Sequence, residues 1–209
     1  MSSEEDDYFQ FFFPNEEARI KKFSTYVKRE GDTLYFKLRT GSYATLTDFE
    51  GCEAQQYECE SYRFLNYYRD EELYLVFVKQ YEGFDYVMVA GGTGETHRIH
   101  TFPGFSPDRK RLITTPGDET GYGKNGVFIW RVEDGGLVSE LAYELYEYAM
   151  YGVESWEDDG TIVLSKHVRA YKEFCPQSIF MTVPVTLRLE KGGWKYYEDL
   201  SVDTVKCIQ

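Results

Sequence analysis

The chain has 209 residues, of which 42% are hydrophobic and 18% aromatic, and it carries 36 acidic against 23 basic side chains for a net charge of -13. That is material for a substantial core, and all-β sandwiches or barrels of this length commonly form a single domain. The acid excess repels phosphate backbones and argues against nucleic acid as a partner, and no run approaches the roughly 18 apolar residues that cross a bilayer.

Residues 1–7, Met1-Ser2-Ser3-Glu4-Glu5-Asp6-Asp7, read as a disordered acidic start with neither the basic nor the apolar region of a secretory signal. Residues 8–209 are expected to form one all-β domain. After the aromatic cluster Tyr8 to Phe13, Asn15 stands where an N-cap belongs and two carboxylates follow it, so the spacing predicts a short helix over 15–23. From residue 34 the apolar residues recur with period two: Leu34, Phe36 and Leu38 lead through Thr40-Gly41 into Tyr43 to Leu46, which reads as a hairpin. The same grammar, a strand ending in a glycine-containing turn, returns at 86–94, 127–136 and 185–193. Between these lies a second unit, an acidic turn before an apolar strand, at 68–76, 106–113 and 156–164. Aligned on Asp70, Asp108 and Asp158, the units repeat at roughly the spacing of propeller blades.

The run Phe105-Ser106-Pro107-Asp108-Arg109-Lys110-Arg111-Leu112, with Val127 to Val132 after it, resembles the blade pattern of WD-repeat and TolB-like β-propellers. Residues 34 to about 165 also resemble a group of bacterial propeller-like proteins of no known activity, through the spacing of Cys52 and Cys59 and the segment Gln80-Tyr81-Glu82-Gly83. The resemblance implies antiparallel sheets stacked as an incomplete propeller or a propeller-like sandwich, with at most one or two short helices. Arg109 departs from the pattern by standing where the blade turn has glycine, and the three visible repeats fall short of the four to eight blades of a closed ring.

Cys52 and Cys59 bracket a short polar loop and are candidates for a disulfide. If they are joined, the chain belongs in the periplasm or outside the cell; if Met1 is the native start, it belongs in the cytoplasm. Gly121 to Gly126 matches G-x-G-x-x-G, but a strand follows where a dinucleotide site needs a helix, so it reads as a loop. His97 and His100, three apart in an expected strand, leave on opposite faces and do not suit one metal; no metal and no cofactor is expected. Carboxylate pairs such as Glu71 and Glu72, or Asp158 and Asp159, sit in turns where such residues serve local hydrogen bonding. The candidate binding surface is aromatic and acidic: Tyr146, Tyr148, Tyr151 and Trp156, with Asp118, Glu119 and Tyr122 in the long loop before Val127. These residues suit a non-enzymatic protein-binding or scaffold module whose partner is another protein. The alternative is a carbohydrate-binding or glycoside-processing protein that uses exposed Tyr and Trp beside carboxylates.

Overall fold

The computed structural model describes residues 15–49, 59–80, 83–117, 124–145, 149–157, 160–201 and 204–208. Among them a single helix, α1 (Glu16–Lys22), forms where expected. The Asn15 side-chain oxygen accepts from the Ala18 amide at 2.9 Å, Glu16 and Glu17 occupy the positive end, and Lys21 and Lys22 the negative one.

Everything else that is regular is strand, in four sheets whose order follows the chain. The first holds β1 (Val27–Glu30), β2 (Thr33–Lys37) and β3 (Tyr43–Thr47), and the second β4 (Glu60–Tyr68), β5 (Leu73–Gln80), β6 (Gly83–Ala90) and β7 (Thr96–Arg98). The third holds β8 (Gly104–Phe105), β9 (Arg111–Thr114), β10 (Gly126–Glu133) and β11 (Gly136–Glu144). The fourth holds β12 (Met150–Trp156), β13 (Thr161–Arg169), β14 (Phe180–Glu190) and β15 (Gly193–Glu198), and a last short strand, β16 (Lys206–Ile208), pairs with the start of β14. The protein is therefore built mainly of antiparallel β-sheet.

Two compact units divide the chain, one running to Ile99 and including Glu133–Leu137, the other made of His100–Val132 and Val138 onward. In the first unit, Val27, Leu34 and Phe36 from the first sheet meet Phe64, Tyr74, Val76, Val87 and Val89 from the second, with Ile20 and Phe23 of the helix region against them. Period-two alternation puts these residues on one face of each sheet. Tyr74 is fully buried, and its hydroxyl finds the Lys37 carbonyl at 2.5 Å. Arg29, four-fifths buried, donates to the Tyr62 carbonyl and pairs with Glu16 and Asp48, which ties α1 and β1 to β4. In the second unit, Ile113, Val127 and Ile129 of the third sheet meet Ile162, Leu164, Val183, Val185, Leu187 and Trp194 of the fourth.

The glycine turns all close hairpins between consecutive strands, at Gly41, at Gly91 to Gly94, at Gly135 and at Gly192. Arg109, standing where the blade pattern has glycine, adopts the glycine-like conformation with φ 57°. The turn holds it there. Asp108 Oδ1 accepts from Ser106 Oγ at 2.8 Å and from the Lys110 amide at 3.1 Å, and Ser106 and Arg111 exchange backbone and hydroxyl bonds. The strand expected to carry both His97 and His100 ends at Arg98, because His100 has φ 65°, which breaks the extended run.

Candidate functional site

Of the residues singled out above, the cluster Tyr8 to Phe13, Cys52, Tyr81, Glu82, Asp118, Glu119, Gly121, Tyr122, Gly123, Tyr146, Tyr148, Asp158 and Asp159 lie outside the described residues. Cys59 is disulfide-bonded and buried. Tyr151 and Trp156 are placed on the core side of the fourth sheet. Tyr151 is only 6% exposed, because its register on β12 opposite Lys166 turns it inward, and Trp156 packs edge-on against Trp194 with centroids 6.3 Å apart. An aromatic that strand alternation points inward packs there, whatever binding chemistry its type would offer at the surface.

These two residues belong to a polar seam between the two sheets of the second unit. Tyr151 and Tyr196 share a hydroxyl contact at 2.9 Å, Tyr196 donates to Glu198 at 2.6 Å, and Lys166 reaches the same carboxylate oxygen at 2.5 Å. Tyr143 stacks on Tyr196 at 4.4 Å. One end of the seam is Glu140, which accepts from Trp194 Nε1 at 3.0 Å and pairs with Arg111 at 2.7 Å and Arg131 at 3.2 Å. Burial pushes the Glu140 carboxyl up, but the bonds from Arg111 and Trp194 outweigh it and hold the group below its ordinary range. Lys166 and Tyr196 do the same for Glu198. Burial drives both Tyr151 and Tyr196 well above the usual tyrosine value, so neither hydroxyl is a base near neutrality. The hydroxyls, carboxylates and cations of the seam pair with one another as a structural network, while the buried Trp156 indole N–H is left without a hydrogen-bond partner.

A second polar cluster lies on the second sheet. Glu60 accepts from Tyr62 at 2.6 Å and from Gln80 at 3.1 Å, and Arg98 bridges Glu60 and Asp85. Burial, then the bond to Glu60, pushes the Tyr62 hydroxyl from 10.0 up to about 12. Tyr74, Tyr151 and Tyr196 are raised in the same direction. A group that holds its proton more tightly when folded stabilises the fold at pH values below its unfolded pKa. That contribution is lost as pH climbs through the folded value. Stability is therefore expected to be flat from neutrality to about pH 10 and to fall steadily above it. Tyrosinate absorbance followed alongside circular dichroism checks this: a group of tyrosines should ionise late and together with unfolding, and ionisation complete before any loss of structure would contradict it.

An open groove of about 390 Å³ is lined by Glu16, Glu17, Ile20, Arg29 and Gly31. Its charged side chains Glu16 and Arg29 are already committed to each other. Among the described residues no group of three metal-ligating side chains comes together, and no helix is long and apolar enough to cross a membrane.

The feature that stands apart is a corner of the second unit. Cys175, 1% exposed, is bonded to Cys207 on β16 across 32 residues of chain. The bond fixes the loop between β13 and β14 to the last strand, and around it four large apolar side chains stand in water: Ile179 at 74% exposure, Tyr171 at 45%, and Phe180 and Ile208 at 40% each. Phe180 and Ile208 are opposite one another in the β14–β16 ladder and so share a face. The Ala170 amide donates to the Ile179 carbonyl, and the Cys175 amide to that of Tyr171, so the loop has its own framework. Within segments 169–180 and 206–208, three cations, Arg169, Lys172 and Lys206, and one carboxylate, Glu173, are exposed.

The chain matches no protein-family model, no curated protein and no solved structure.

The corner was not visible in sequence as a surface, since a short apolar run such as Ile179-Phe180-Met181 does not say which of its side chains turn inward. In the fold only Met181 is buried, at 0% exposure, while its neighbours stay outside. One signal was present: once two of four cysteines are assigned to each other, the remaining pair are candidates by count alone. Exposed apolar side chains on a loop and a strand joined by a covalent bridge offer a partner area at small entropic cost, which is chemistry for recognition.

Proposed function

We propose that this protein is a non-enzymatic protein-binding module built of propeller-like sheets, and that the corner formed by Tyr171, Ile179, Phe180 and Ile208 is a surface on which a protein partner seats. The observation that carries this reading is the exposure of those four side chains together on a pinned loop and strand. Their cost in water is recovered when another surface covers them.

The repeated grammar of the sheets supports the propeller-like part of the proposal. In the second, third and fourth sheets alike, an acidic turn precedes the second strand and a glycine turn joins the third strand to the fourth. Four antiparallel strands to a sheet is also the number in a propeller blade. The disulfide between Cys175 and Cys207, with the bonded state of Cys59, favours an oxidising compartment. A second reading, carbohydrate recognition, draws on Tyr197, which is 48% exposed and donates to Glu190 at 2.7 Å, an aromatic beside a carboxylate.

The test uses the full oxidised chain immobilised as bait, with Ile179→Asp in parallel. Capture of a defined polypeptide that Ile179→Asp abolishes while its melting temperature stays unchanged supports the module. Capture that ignores position 179 removes the corner from the proposal, and binding to an oligosaccharide array that is lost in Tyr197→Ala would move the function to the second reading.

A further inference from the structure

We propose that the partner seated on this corner is a second copy of the same chain, which contributes its residues 4–13. The inference rests on the protein-binding reading above and names its ligand. Three observations lead to it.

The first is charge. The protein as a whole carries -13, yet the charged residues of segments 169–180 and 206–208, which form the corner, are the cations Arg169, Lys172 and Lys206 and the one carboxylate Glu173. Arg169, Phe180 and Ile208 stand in one row across β13, β14 and β16, and Lys206 is two residues along from Ile208 on the same face. A surface of this sign on so acidic a molecule favours an acidic ligand and disfavours most of the chain's own surface.

The second is the sheet edge. β16 pairs with β14 on one side, and among the described residues no strand pairs with its other side. All three of its residues are exposed. A short edge strand with free backbone groups accepts an extended segment from another chain, with affinity from main-chain bonds and selectivity from side chains on either face.

The third is what the chain itself offers. Residues 4–13 read Glu4-Glu5-Asp6-Asp7-Tyr8-Phe9-Gln10-Phe11-Phe12-Phe13, four carboxylates followed by five aromatics in six positions. Laid as a strand beside β16, the alternate side chains Phe9, Phe11 and Phe13 would share one face, and one of them would continue the cross-strand row of Phe180 and Ile208. The carboxylates then have Arg169, Lys172 and Lys206 as counter-ions. No other ten-residue stretch of this sequence joins an acidic block to an aromatic one in this way. Reciprocal exchange of the segment between two copies closes the pair, so the expected assembly is a dimer.

The experiment is sedimentation of the full oxidised chain over a wide range of concentration, for the wild type, for Ile179→Asp, and for the double substitution Phe9→Ser with Phe11→Ser. The first variant damages the acceptor, at a fully described surface position, and the second damages the donor. Each alone is expected to weaken dimerisation by about tenfold or more. An equimolar mixture of the two variants should recover part of the association, because it still contains one intact acceptor and one intact donor. A wild type that stays monomeric at every concentration, a dimer that persists in Ile179→Asp, or a mixture that recovers nothing would overturn the proposal. If the chain stays monomeric while its corner captures a different polypeptide through Ile179, the self-association falls and the binding module stands; if neither occurs, both fall.

Discussion

Gly126→Ala is expected to destabilise the protein by about 3 kcal/mol or more, the largest effect of a methyl group added at any of the described glycines. Gly126 opens β10 with φ 141°, a conformation that side chains rarely adopt, and its α-carbon lies close against the Tyr143 carbonyl of β11. A Cβ there falls inside the van der Waals radius of that oxygen, and both atoms belong to paired backbone that cannot easily retreat. Conformational strain and the steric clash therefore add. Gly83→Ala is the control, since Gly83 begins β6 with nothing within 4 Å of the added methyl and no positive φ. Urea unfolding of both variants decides the matter: a midpoint shift at position 126 no larger than at position 83 would mean that β10 and β11 part without cost.

Removing the Cys175–Cys207 bridge, by Cys207→Ser or by a dithiol reductant, is expected to cost about 3–4 kcal/mol. A cross-link spanning 32 residues withdraws that much freedom from the unfolded chain. The loss should also be local. β16 holds only three residues, all exposed, against Phe180, Met181 and Thr182 of β14, so without the bond it has little to keep it in the sheet. Hydrogen exchange should show the amides of Phe180 to Thr182 and of β16 opening first, while β13 and the far half of β14 remain protected. Uniform acceleration over the whole second unit, or a stability change below about 1 kcal/mol, would show that packing around the loop suffices without the bond.

Local chemistry made much of the fold legible. The helix after Asn15 followed from one capping side chain and the charges behind it, and the hairpins followed from alternation closed by glycine. Arg109 is informative because the resemblance to a blade marked it as a departure, and the backbone there is what glycine would have adopted; Ser106 and Asp108 hold the arginine in place. The site was less legible, because alternation says which residues share a face but not which face turns inward. Tyr151 and Trp156 have the composition of a recognition surface and the register of a core. Ile179 and Phe180 have the composition of a core and stand in water, because the nearby bridge between residues 32 apart fixes the loop. That pairing is non-local, and a sequence shows local preferences far more clearly than distant closures.

The short hairpin tip Glu133–Leu137 has a consequence for how the molecule is made. It belongs to the first unit, where the Gly135 carbonyl accepts from the Gly92 amide at 3.0 Å, although the strands on either side of it serve the second. A nascent chain released as far as Ile99 thus still lacks a piece of its first unit, and that piece emerges only after β8, β9 and most of β10 have been translated. Synthesis cannot finish one half before starting the other. The order of events on the ribosome is interleaved, and a gene cut after codon 99 is expected to yield a polypeptide that chaperones retain instead of release.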